Sequence, residues 1–182
     1  MPTPPEQRPD RRLGRGMSIA AWVAGLGLLT LLFSNLLERE RNPNQRVLSR
    51  VAGDSVEVVL QRNRYGHYVA TGRINGEPVE FLVDTGASDV SVPGRLAAQL
   101  GLVRGAPLTY QTANGTVTGY RTRIDRLALG ELVLRDVPAS INPAYRENDV
   151  LLGMSVLKRL EFTQRGDTLI LRPLRNAAEG PK

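Results

Sequence analysis

The sequence predicts an all-β domain with one or two short helices, carried behind a single transmembrane helix. Three observations predict it. Residues 17–37, MSIAAWVAGLGLLTLLFSNLL, run without a charge, which is long enough as a helix to cross the hydrocarbon core. From about Ser55 the pattern changes to short stretches of alternating apolar and polar residues, the period of half-buried strands. Two Asn-Gly pairs, Asn75-Gly76 and Asn114-Gly115, stand between such stretches, the strongest short-range signal for a tight hairpin. Short strands with regular turns, and no regular alternation with helices, argue for a closed barrel or a sandwich.

Taken in order, residues 1–16 are rich in proline and arginine and are expected to be disordered. Residues 17–37 follow as the anchor, with Trp22 near one end and Arg15, Glu38 and Arg39 fencing the run. The competing reading is a cleaved signal peptide, but the exit FSNLLERE offers no small-x-small site. Arginines do not set the orientation: Arg8, Arg11, Arg12 and Arg15 precede the segment, and Arg39, Arg41, Arg46 and Arg50 follow it. Ala20, Ala24 and Gly27, or Ala21 and Gly25, would let a second helix approach closely. Residues 38–54 read as a polar juxtamembrane linker broken by Asn42-Pro43-Asn44.

The domain proper is expected over residues 55–175. Strands are predicted in SVEVVLQ, HYVATGRI, PVEFLVD, LTYQT, TVTGYRTRI, LVLRDVPASI, DVLLG and DTLILRP. In PVEFLVD, Val79, Phe81 and Val83 point one way and Glu80 the other. Short helices are expected from Arg95 to Leu100, stopped by Gly101, and from Ser155 to Leu160. Residues 176–182 read as a second disordered tail.

Composition removes several chemistries. With no cysteine, neither a disulfide nor thiol catalysis is possible. With His67 as the one histidine, a structural zinc site is not expected, and His67 itself reads as a structural residue. No Gly-x-Ser-x-Gly elbow and no phosphate-binding glycine loop is present. Lys158 and Lys182 are the only lysines. The net charge of +6 comes mostly from dispersed arginines without interleaved aromatics, so no nucleic-acid partner is expected; the charge suits membrane flanks and solubility.

Carboxylates remain, and Asp84 has the unusual setting. In FLVDTGASDV an apolar strand delivers it to a turn containing Thr85 and Gly86. An Asp at the end of an apolar run is costly to bury without partners. Two such loops meeting face to face would force two carboxylates to share one proton. One could then act as base on a water while the other polarises a carbonyl. The tripeptide alone also fits an ordinary turn.

The context extends the pattern. FLVDTGAS resembles the active-site signature of the retropepsin-like aspartic proteases, and VLLGMSVL, residues 150–157, resembles the apolar-apolar-Gly segment and short helix near that family's C-terminus. Between them YQTANGTV, residues 110–117, is placed like that family's flap hairpin. The order is similar to a bacterial branch of small, membrane-anchored, single-domain members. The resemblance covers roughly residues 66–173 and the anchor layout.

That resemblance implies a retropepsin-like closed β-barrel or sandwich and an aspartic endopeptidase that uses water and no cofactor or metal. It implies Asp84 as the catalytic carboxylate. Thr85 and Gly86 would allow two loops to meet, with Ala87 and Ser88 supporting the carboxylate. Tyr110, Thr112, Ala113, Asn114 and Gly115 would belong to the flap over a peptide substrate, and Gly153 would pack beneath the active-site loop. Only one Asp-Thr-Gly occurs, because Asp89, Asp125 and Asp149 lack the Thr-Gly context and read as turn or surface residues. A homodimer is therefore expected, with both copies of Asp84 at the twofold axis. The branch implies a bacterial inner-membrane protein, anchored in the bilayer through residues 17–37, with its domain on the periplasmic side. The alternative is a catalytically silent peptide-binding or scaffolding module on the same fold.

Overall fold

The computed structural model describes residues 11–52, 55–112 and 115–174. The chain divides into two compact units, one ending at Arg39 and the other beginning at Glu40.

Helix α1 spans Arg11–Arg41. It is longer than the apolar run at both ends. Residues 11–16, expected to be disordered, are helical, since no proline stands between Pro9 and Pro43 to break the ladder. Residues 1–10 lie outside the described residues, as does the tail at 176–182. The apolar side chains of residues 17–37 are exposed, Trp22, Leu26 and Leu31 among them. This is the one helix among the described residues long and apolar enough to cross a membrane, and a signal sequence would meet the same test.

The second unit starts earlier than the composition suggests. Residues 38–54, expected as a linker, are instead helix up to Arg41 and strand β1 over Leu48–Ala52. The residue before a proline is disfavoured in the helical region, so α1 ends where Asn42 meets Pro43. Asn42 and Asn44 are then buried against the domain, at 1% and 4% exposure. Strand β1 pairs antiparallel with β2 (Ser55–Gln61). It lacks alternation because it is a sheet edge, with Leu48 and Val51 exposed.

The remaining strands are β3 (Val69–Ile74), β4 (Glu77–Val83), β5 (Val90–Pro93), β6 (Pro107–Thr112), β7 (Gly115–Leu129), β8 (Leu132–Asn142), β9 (Val150–Leu152), β10 (Leu160–Arg165) and β11 (Thr168–Pro173). One sheet runs β3-β4-β9-β5-β8-β7-β6, and a β3–β7 pairing closes its first six strands into a barrel. Strand β6 lies outside that ring and, among the described residues, pairs only with the first half of β7. The fold is thus mostly β, in the closed form expected. A second sheet, β1-β2-β11-β10, is four-stranded and antiparallel.

The turn at Asn75-Gly76 has φ of 51° and 94°, the doubly positive geometry of a type I′ hairpin. Gly115 has φ of 103°, while Asn114 lies outside the described residues. The core gathers Phe81, Ile74, Ile124, Leu127, Leu129, Ile141, Leu152 and Leu157, each at most 1% exposed. Gly72 is required there, because a Cβ would stand 2.6 Å from the Phe81 ring.

Two helix expectations change. Residues 94–101 form successive turns, with Leu100 N donating to Leu96 O at 3.0 Å and Gly101 reversing the chain at φ 66°. The second helix, α2, covers only Met154–Leu157, since Leu160 already begins β10.

Candidate active site

Strand β4 delivers Asp84 because it is held on both sides, antiparallel to β3 and parallel to β9. Val83 faces Leu152 across the parallel pair, and Asp84 N donates to Leu152 O at 3.2 Å. The chain then turns on its own carboxylate. Asp84 Oδ1 accepts from Gly86 N at 2.8 Å, and Asp84 O accepts from Ala87 N at 3.3 Å. This Asx turn is what Asp followed by a small flexible residue favours.

The end of β9 and the start of α2 hold the loop from below. Met154 N donates to Ala87 O at 2.8 Å and Ser155 N to Ser88 O at 3.0 Å. Ser155 Oγ accepts from Val90 N at 3.2 Å and donates to Pro138 O at 3.1 Å, tying the loop exit to β8. Gly153 lies directly beneath. A Cβ there would come within 2.6 Å of Ala87 O and closer still to Asp89 O. Above, Asp84 and Ala87 are half-buried, whereas Thr85, Gly86 and Ser88 are exposed. One chain therefore presents its Asp-Thr-Gly turn outward on a rigid base.

Of the residues expected in the hairpin, Tyr110 and Thr112 lie on β6 and Gly115 begins β7, with Thr112 opposite Gly115. Ala113 and Asn114 lie outside the described residues. Tyr110 is brought to the loop that carries Asp84: its Oη donates to Asp89 Oδ2 at 3.2 Å. Burial, followed by the Asp89 charge, pushes the phenol up to about 12 despite an opposing hydrogen bond from Ser140.

Asp89 is not the surface residue its sequence context suggests. It is half-buried and also accepts from Ser140 Oγ at 3.1 Å. Burial raises its pKa, against the two hydroxyl hydrogen bonds and the Arg121 charge. Asp149 is likewise no surface residue: it is 6% exposed, with Arg41 Nη2 at 3.6 Å. Arg41 also faces Glu80 at 3.6 Å. Nearby, burial and the carboxylates of Asp149, Glu147 and Asp84 push the Tyr145 phenol up to about 12. Neither burial leaves a local trace, because the partners Arg41, Tyr110 and Ser140 are distant in sequence.

An open cleft of about 620 Å³ runs beside the hairpin, walled by Asp89, Leu108, Arg121, Asp125, Pro138 and Ala139. Asp84 is not in its wall; the two meet only through the loop that carries Asp84 and Asp89. Among the described residues no three His, Asp or Glu side chains converge as a metal site requires. The arrangement suits acid–base work by carboxylates on a substrate laid across the loop.

Comparisons with known proteins agree with this geometry. Residues 70–159 match the family described as "gag-polyprotein putative aspartyl protease". An uncharacterized protein of Sinorhizobium sp, from a cobV 5' region, is 30% identical over 175 residues, covering 88% of this chain and 75% of its own. An uncharacterized Rickettsia prowazekii protein is 29% identical over 119 residues, covering 63% of this chain and 51% of its own. Among solved structures, a retropepsin-like aspartic protease from Rickettsia conorii superposes with a TM-score of 0.56 at 29% identity, over 70% of this chain and 96% of that one.

Proposed function

The chain belongs to the retropepsin-like aspartic proteases, and from that premise we propose a membrane-anchored aspartic endopeptidase in which two chains each supply Asp84. One observation carries the proposal: Asp84 ends β4 in an Asx turn whose Thr85-Gly86 backbone is exposed on a base fixed by β9 and α2. An exposed turn of this kind leaves a face for a second, identical turn, and a twofold axis is the simple way to supply it.

In the paired site the two Asp84 carboxyls hold one proton between them, because like charges that close do not both ionise. The ionised carboxylate takes a proton from water as the water oxygen bonds to the scissile carbonyl carbon. The protonated carboxyl donates to the carbonyl oxygen as it gains charge. Transfer of a proton to the amide nitrogen then breaks the C–N bond and releases an amine and an acid. The β6–β7 hairpin covers the peptide and excludes water other than the reactant.

Helix α1 anchors the protein through residues 17–37 in a bacterial inner membrane, with the barrel on the periplasmic side. The exposed apolar surface of residues 17–37 supports insertion. The decisive test uses the full chain in detergent and a peptide library. Asp84→Asn, nearly isosteric, is expected to lower cleavage about 1000-fold or more with an unchanged unfolding transition. Undiminished cleavage by that variant would overturn the proposal.

A further inference from the structure

Hydrolysis as described has no use for Asp89, yet this carboxylate is the best-connected side chain of the active-site loop. It joins three elements. Its backbone sits at the loop exit, over Gly153. Its Oδ1 is held at 3.1 Å by Ser140 Oγ, a residue on β8 with no exposed surface. Its Oδ2 is held at 3.2 Å by Tyr110 Oη, from the first arm of the hairpin.

Tyr110 reaches it because room is left on the neighbouring strand. The ring lies over Gly119 of β7, where a Cβ would stand 2.7 Å from Tyr110 Cε2 and 2.9 Å from Ile141 O. Any side chain at 119 would displace the ring and break its line to the loop. With its pKa pushed up to about 12, the phenol keeps its proton at neutral pH and donates. Arg121 of β7 is the cation whose charge acts on the carboxylate.

We propose that Asp89 is a positioning residue that latches the β6–β7 hairpin to the Asp84 loop through Tyr110, so that one contact fixes the covering arm relative to the catalytic carboxylate. The inference rests on the protease reading for its consequence and on geometry alone for its existence. Among the described residues strand β6 pairs with β7 alone; a two-stranded ribbon is marginal by itself and swings about its base unless pinned. The latch grips the arm at Tyr110 and leaves the Asp84 loop where β9 and α2 hold it. Substrate entry then requires no movement of the loop.

The test is Tyr110→Phe in the full chain, which keeps the ring over Gly119 and removes only the hydroxyl. Ser140→Ala is the second variant, loosening the carboxylate from the other side. Amide hydrogen exchange in β6 and the first half of β7 is expected to quicken about tenfold in Tyr110→Phe, with the rest of the barrel unchanged. For a cleaved peptide, KM is expected to rise about 3–10-fold with a smaller change in kcat. Unchanged hairpin exchange in Tyr110→Phe would overturn the latch, whatever the activity. An equal fall in kcat with KM untouched would overturn its role in holding the covering arm. Full activity in Asp84→Asn would instead overturn the protease reading while leaving the exchange result standing.

Discussion

At Gly153 the absence of a side chain sets the height of the Asp84 loop. Its backbone is extended, with φ of −90°, so no conformational need for glycine arises there. The need is steric: the carbonyl oxygens of Ala87 and Asp89 occupy the place of a Cβ. Backbone atoms held by Met154 N and Ser155 N cannot retreat as a side chain would. Gly153→Ala is therefore expected to cost about 3 kcal/mol in denaturant unfolding. A loss of that size would support the clash, whereas a loss below about 0.5 kcal/mol would show that the loop can lift. A family motif draws the eye to Asp84 and Gly153, since type and spacing are written locally. Asp89 and Asp149 were not legible in the same way. Their burial depends on Tyr110, Ser140 and Arg41, which no periodicity connects to them.

Among the elements, the segment after α1 departs most from its appearance. Asn44 acts as a piece of strand: it bridges parallel to Ala70 and its O accepts from Thr71 N at 3.1 Å. Its side chain donates to Val69 O at 2.7 Å and Gln61 O at 2.9 Å, and accepts from Gln61 N at 2.7 Å. One amide thus satisfies the ends of β2 and β3 together. Asn42 adds hydrogen bonds to Thr71 and Glu80, at 2.9 and 2.8 Å. Asn-Pro-Asn has the composition of a linker, and only the orphaned backbone groups of β2 and β3 reveal why it is not one. Asn44→Ala leaves those groups buried and unpaired, and is expected to cost about 2–3 kcal/mol. A thermal shift of several degrees would check it, whereas an unchanged transition would mean that water replaces the amide. The Asn75-Gly76 hairpin was legible because Asn-Gly states its turn type. Strand β5 was not: all four of its residues are buried, so it lacks alternation and is too short to declare a period. Strand β10 hid behind the end of the expected helix, its residues after Leu160 exposed.

For the whole molecule, local pattern stops at the list of strands. It does not say that β3 pairs with β7, and only that contact turns a sheet into a barrel. The count of Asp-Thr-Gly motifs, by contrast, is a whole-molecule statement that sequence makes directly: one motif per chain, against a proposed mechanism that needs two carboxylates. The proposed dimer follows from that mismatch, and anchoring both chains in one bilayer would raise their effective concentration. Two outcomes are expected. Specific activity of the full chain should fall as detergent micelles dilute it, since each dissociated chain keeps one carboxylate and loses the shared proton. Mixing wild type with an equal amount of Asp84→Asn and allowing exchange should leave about a quarter of the dimers fully wild type. Activity per wild-type chain should then drop about twofold, and further as the variant is added in excess. A chain acting alone would show neither effect, since added Asp84→Asn could not reach its active site. Suppression by Asp84→Asn therefore reads out the shared dyad itself, beyond association, because a dimer with two independent sites would keep the activity of every wild-type copy.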